Sequence, residues 1–135
     1  MSASAMLVVD SDVLIDALRR SGPAPARFRL ALEAGRLVTT AISVFELRSG
    51  AAGRPEAKKV EALLAALPAL PFDAVAARAA AELRRELEAA GRGIGMAEYQ
   101  IAGICVSRRL PLLTRNLAHF ERVPGLALEN LPALE

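Results

Sequence analysis

The sequence predicts an α/β protein: a parallel sheet covered on both faces by helices. Short apolar runs alternate with segments of helical periodicity nearly throughout, and those runs are apolar on consecutive residues, as strands buried on both sides must be. At 135 residues, 53% hydrophobic and 24% charged, the chain has enough apolar surface for one core, so residues 1–135 are expected to form a single domain.

The elements follow in order. Met6 to Val9 is an apolar run ending at Asp10, and a helical pattern starts at once, with Val13, Leu14, Ala17 and Leu18 on one face. The stretch from Gly22 to Pro25 breaks that helix; Arg27 to Ala34 reads as the next, closed by Gly35. Leu37 to Thr39 is a second strand, with a helix from about Ser43 to Ala51 behind it and Gly50 and Gly53 closing the unit. From Pro55 an amphipathic helix runs to Leu67, with Val60, Leu63, Leu64 and Leu67 on its apolar stripe. Ala69 to Phe72 is a short third strand. Asp73 caps a long helix to about Ala90, lined by Val75, Ala79, Leu83 and Leu87, with Arg78/Glu82 and Arg84/Glu88 paired along its other side. Gly91 to Gly95 forms a loop, Met96 to Arg109 a further helix, and Leu112-Leu113 a strand ending at Thr114. Leu126 to Leu128, after the Pro124-Gly125 turn, is an edge strand.

Composition removes several function classes. A lone Cys105 cannot form an internal disulfide, and with a single histidine, His119, it leaves no Cys/His set for zinc or haem. No motif supports a Ser-His-Asp or Cys-His hydrolase. The longest apolar stretch, Ala62 to Phe72, is too short to cross a bilayer and contains Pro68 and Pro71; segment 1–9 lacks the features of a signal peptide, so the expected location is cytoplasmic, with no membrane partner. The net charge is only +2, yet of the 17 basic residues only Lys58 and Lys59 are lysines. Arginine suits bidentate phosphate contacts, so a nucleic-acid partner is compatible, as is a plain solubilising surface.

In a parallel sheet, ligands bind beyond the carboxyl ends of the strands where strand order reverses, so polar residues there need explaining. Asp10 and Asp12 stand at the end of the first strand; taken alone, an aspartate before a helix reads first as an N-cap, and Asp12 and Asp16 suit the positive end of the helix dipole. Glu46 closes Ser43-Val-Phe-Glu46, which fits a capping box as readily as a ligand position. Glu98 has Ile101, Ala102 and Cys105 as helical neighbours, so its carboxylate lies beside an apolar face and requires a partner. Thr114-Arg-Asn116 brings a hydroxyl and a carboxamide to the same edge, where an ordinary turn would also use them. Should Asp10, Glu46, Glu98 and Asn116 converge, the acids would repel one another unless a cation neutralised them, and oxygen-only ligands suit Mg²⁺ or Mn²⁺.

Four segments, Val8–Asp16, Ala41–Gly50, Gly95–Gly103 and Leu113–Arg122, together give the chain a pattern that resembles the PIN-domain ribonucleases, above all the VapC-type toxins of toxin-antitoxin pairs. The resemblance covers almost the whole chain. It implies a three-layer α/β/α sandwich around a mostly parallel sheet of about five strands, dimerisation through helices, and a VapB-like antitoxin that blocks an acidic pocket. Asp10 falls at the family's first metal-binding aspartate and Glu46 at its glutamate behind strand two. Glu98 falls where aspartate is usual, Asn116 where aspartate and asparagine both occur, Asp12 where asparagine is commoner, and Thr114 at a hydroxyl residue near the metal.

The implied activity is Mg²⁺-dependent hydrolysis of RNA, with Asp10, Glu46 and Glu98 holding the metal, Asn116 assisting, and Asp12 and Thr114 beside them. Arg48, Arg92 and Arg115 are candidates for the RNA backbone, or plain solvated charges. One competing reading is a PIN-like module that binds RNA or its antitoxin without efficient cleavage. Another is a phosphoacceptor receiver domain with Asp73 as acceptor, disfavoured because no lysine follows the last strand. Asp73 is otherwise a helix cap, Cys105 a small core residue, His119 a surface residue in a short turn, and Tyr99 and Phe120 core side chains.

Overall fold

The computed structural model describes residues 6–20 and 25–129. Its elements run β1 (Leu7–Val9), α1 (Ser11–Arg19), α2 (Ala26–Glu33), β2 (Leu37–Thr40), α3 (Ala41–Ala51), α4 (Ala57–Ala65), β3 (Ala69–Leu70), α5 (Ala74–Ala89), α6 (Met96–Arg108), β4 (Leu112–Leu113), α7 (Leu117–Phe120) and β5 (Leu128–Glu129). Most of the break anticipated at Gly22–Pro25 lies outside the described residues.

The five strands form one sheet in the order β3-β2-β1-β4-β5, every pair parallel. Alternation along these short strands divides the core in two. Val9, Leu37 and Leu113 face α1 to α4, meeting Val13, Leu14, Phe28, Leu47, Val60 and Leu64. Val8, Val38 and Leu112 face the opposite layer, where Leu83, Leu87, Tyr99, Ile101, Ala102 and Phe120 close over them. The result is the expected three-layer sandwich. Chain order reverses between β1 and β4, so the carboxyl ends of those strands flank the crevice of the sheet.

Two local readings are corrected. Ser43 does not cap a helix: α3 begins at Ala41, and Thr40 Oγ1 accepts from the Ser43 amide at 3.0 Å, because β2 passes directly into the helix. Along α5 the buried stripe is Ala76, Ala80, Leu83 and Leu87, whereas Val75 is 62% exposed. The small residues turn inward because α6 lies almost against the α5 backbone. A Cβ built on Gly103 would stand 2.6 Å from the Ala76 carbonyl oxygen and 2.8 Å from the Ala80 Cβ. Asp73 does cap α5, accepting from Ala76 N at 2.9 Å, and Arg84 Nε pairs with Glu88 at 3.0 Å.

The α5–α6 approach yields a test. Gly103→Ala should lower the urea midpoint by the equivalent of about 1–3 kcal/mol, since the obstructing atoms are backbone and the ordinary alanine gain of about 1 kcal/mol in a helix is outweighed. An unchanged or raised midpoint would show that the helices separate freely.

Candidate active site

β1 and β4 pair in the register Val9↔Leu113, and Asp10 N donates to the Leu113 carbonyl at 2.9 Å, which brings Asp10 level with Thr114. Thr114 Oγ1 then donates to Asp10 Oδ2 at 2.8 Å and lies 3.4 Å from Asp12 Oδ2. Asp10 is also the N-cap of α1, its Oδ1 accepting from Ser11 N at 2.8 Å. The capping reading and the site reading of Asp10 are therefore both true of one side chain.

Glu46 reaches the same edge from α3. Its Oε1 accepts from Ser11 Oγ at 3.1 Å, so it is engaged across the site instead of folding back on its own helix. Thr39 Oγ1 donates to the Val9 carbonyl at 2.8 Å, fixing the end of β2 against β1 and with it the start of α3. On the far side, Asn116 N donates to Thr114 Oγ1 at 3.1 Å, and Asn116 Nδ2 donates to Glu98 Oε2. Glu98 Oε1 accepts from Gly95 N at 2.7 Å, a capping box for α6. A continuous hydrogen-bonded chain thus joins Glu46, Ser11, Asp10, Thr114, Asn116 and Glu98.

All six predicted residues, Asp10, Asp12, Glu46, Glu98, Thr114 and Asn116, belong to this edge, though not as one tight shell. Among the described residues no three His, Cys, Asp or Glu side chains are gathered closely enough to hold an ion between them. Glu98 is drawn toward Gly95, Asn116 and His119, while Asp10, Asp12 and Glu46 cluster around Ser11 and Thr114.

Two participants were not anticipated. Ser11 gave no signal, because its contact with Glu46 spans 35 residues of chain. His119 is no idle surface residue: its Nδ1 lies 2.9 and 3.1 Å from the two Glu98 oxygens. A spacing of three from Asn116 was the available clue. Among the arginines, Arg48 is committed to Glu61 through two 2.9 Å bonds, Arg115 pairs with Asp16 at 2.6 Å while its charge also acts on Asp12, and Arg92 is exposed.

Burial, the Asp12 charge and, more weakly, Glu46 push the Asp10 carboxyl up from 3.8 to about 6, against hydrogen bonds from Thr114 and Ser11. Asp12 is also raised, chiefly by burial. Cys105, wholly buried, is driven up to about 12 by burial and then by Asp10, which leaves an inert core thiol. The donor set fits a hard divalent cation: carboxylate oxygens only, crowded enough to repel, with charge that a cation would relieve.

That crowding predicts a pH dependence. A carboxyl raised in the folded state binds its proton more tightly there than in the unfolded chain. The contribution of Asp10 to stability therefore falls as pH rises from about 4 to about 6, by about 3 kcal/mol at most, and stays low above that. In chelator at neutral pH, Asp10→Asn should raise the melting temperature, and the gain should vanish at about pH 3 and below, where Asp10 is protonated in both states. A gain from Asp10→Asn that stays the same from about pH 7 down to about pH 3 would contradict it.

Residues 7–126 match the PIN domain family. The chain is 32% identical over 127 residues to the tRNA(fMet)-specific endonuclease VapC of Shigella flexneri, covering 91% of this chain and 96% of that one. It is 37% identical over 117 residues to ribonuclease VapC10 of Mycobacterium tuberculosis, covering 85% and 86%. Among solved structures, DNA-bound VapBC from Salmonella typhimurium superposes with a TM-score of 0.81 at 27% identity, covering 93% of this chain and 98% of that one. Given a sheet whose reversal point gathers acids and these relatives above 30% identity, the chain belongs to the PIN-domain family, in its VapC branch.

Proposed function

We propose that this chain, acting as one PIN-like unit, is a divalent-metal-dependent endoribonuclease and the toxin of a toxin-antitoxin pair. The observation that carries this reading is the buried Asp10, 7% exposed, held by Thr114 at the sheet reversal with Glu46 and Asp12 crowding it. A folded protein keeps such a costly arrangement where it serves a ligand.

Asp10 and Glu46 would hold the ion, with Glu98 reaching it through water. Bound there, Mg²⁺, or Mn²⁺ in its place, supplies Lewis-acid polarisation of the scissile phosphate and a water of lowered pKa. The chain's own residues do the rest. Thr114 fixes the orientation of Asp10, Ser11 that of Glu46, and Asn116 that of Glu98, so the carboxylates are set before substrate arrives. The Shigella relative, named for cleavage of tRNA(fMet), supports RNA as substrate.

The VapBC complexes among the structural neighbours support a VapB-like antitoxin as partner. A groove lined by Ile15, Leu18, Leu47 and Val60 borders Glu46, offering apolar surface next to the acids. Homodimerisation and a cytoplasmic location complete the reading; no described helix is long and apolar enough to cross a membrane. A second reading, an RNA- or antitoxin-binding module with feeble cleavage, draws on the Glu98 carboxylate, whose oxygens are already engaged by Gly95 N, Asn116 Nδ2 and His119 Nδ1.

The purified protein should cleave RNA with Mg²⁺, stop on chelation, and lose more than about a hundredfold in kcat/KM on Asp10→Ala. Cleavage that survives Asp10→Ala would sink the proposal. RNA binding without cleavage in both the wild type and Glu98→Asp would select the binding module.

A further inference from the structure

We infer that His119 is a positioning residue for the Glu98 carboxylate; its role in rate rests on the ribonuclease reading above, its placement on the structure alone. Glutamate brings a longer, freer side chain to this edge than aspartate would, and a carboxylate displaced by about an ångström can cost about a hundredfold in rate. Gly95 N holds Oε1 and Asn116 Nδ2 holds Oε2, and neither bond alone sets the plane of the carboxylate. His119 Nδ1, 2.9 Å from Oε1 and 3.1 Å from Oε2, touches both oxygens at once and adds a third point of restraint. An ionised carboxylate only accepts hydrogen bonds, so Nδ1 must carry the proton.

The contact is built into the fold. Asn116 precedes α7 with its side chain free of capping and His119 stands three residues on, so a single turn offers both side chains to Glu98. That turn is anchored by Phe120, 1% exposed in the core. Just beyond it, Arg122 Nη1 donates to the Gly93 carbonyl at 2.8 Å, tying the segment after α7 to the loop before α6. The Glu98 side chain is 19% exposed and that of His119 43%, so the imidazole covers the carboxylate from the solvent side.

The chain has one histidine, so nitrogen-15 imidazole spectra report this residue alone. At mildly alkaline pH the single ring proton should sit on Nδ1, and in Glu98→Ala it should move to Nε2. In RNA cleavage, His119→Ala should lower kcat about ten- to a hundredfold with KM nearly unchanged. His119→Asn, whose amide nitrogen can take the place of Nδ1, should recover most of that loss. In the Glu98→Ala background, His119→Ala should change the rate by less than about twofold, because the two act as one unit. A proton on Nε2 in the wild type overturns the inference, as do losses that multiply in the double variant or a change confined to KM. The Nδ1 signature in a protein that cleaves no RNA would instead sink the ribonuclease reading and leave the pairing standing.

Discussion

The site depends on the pairing of β1 with β4 at the place where the sheet changes direction. Two short buried strands, Leu7–Val9 and Leu112–Leu113, are held in a register that sets Asp10 beside Thr114. One hydroxyl there serves three groups: it donates to Asp10, approaches Asp12 and accepts from the Asn116 amide. A slip of one residue would draw Asp10 into the core and turn Val9 toward the opposite helical layer, so the packing of both layers and the geometry of the acids are fixed by the same ladder.

This arrangement sets stability against use. Asp10 caps α1 and accepts two hydrogen bonds, yet burial and its acidic neighbours still hold its proton far above the usual carboxylate range. Ser11 offers Glu46 a hydroxyl, and Arg115 draws Asp16 aside while its amide donates to Asp12. These contacts relieve part of the repulsion without abolishing it. What remains is a standing demand for positive charge at the carboxyl edge, the property expected of a site that takes a divalent cation and a phosphate.

Sequence patterning identified the elements because each strand is apolar on both faces and each helix carries an apolar stripe; the acids at strand ends followed from that placement. It misjudged details settled by close packing. Val75 has the same helical period as Ala76, and only the approach of Gly103 to the Ala76 and Ala80 backbone decides which face turns inward. Ser43-Val-Phe-Glu46 has the form of a capping box, but β2 runs straight into α3, so Thr40 takes the cap and Glu46 is released to meet Ser11.

By itself the sequence determined the class of fold and put Asp10, Asp12 and Thr114 at strand ends, since burial periodicity and strand-end polarity are local properties written residue by residue. The tertiary structure alone decided how those acids divide: Asp10, Asp12 and Glu46 around Ser11 and Thr114, and Glu98 with Asn116 and His119. Those partnerships close loops of 18 to 104 residues, and no local rule specifies which side chains meet when loops of that length come together.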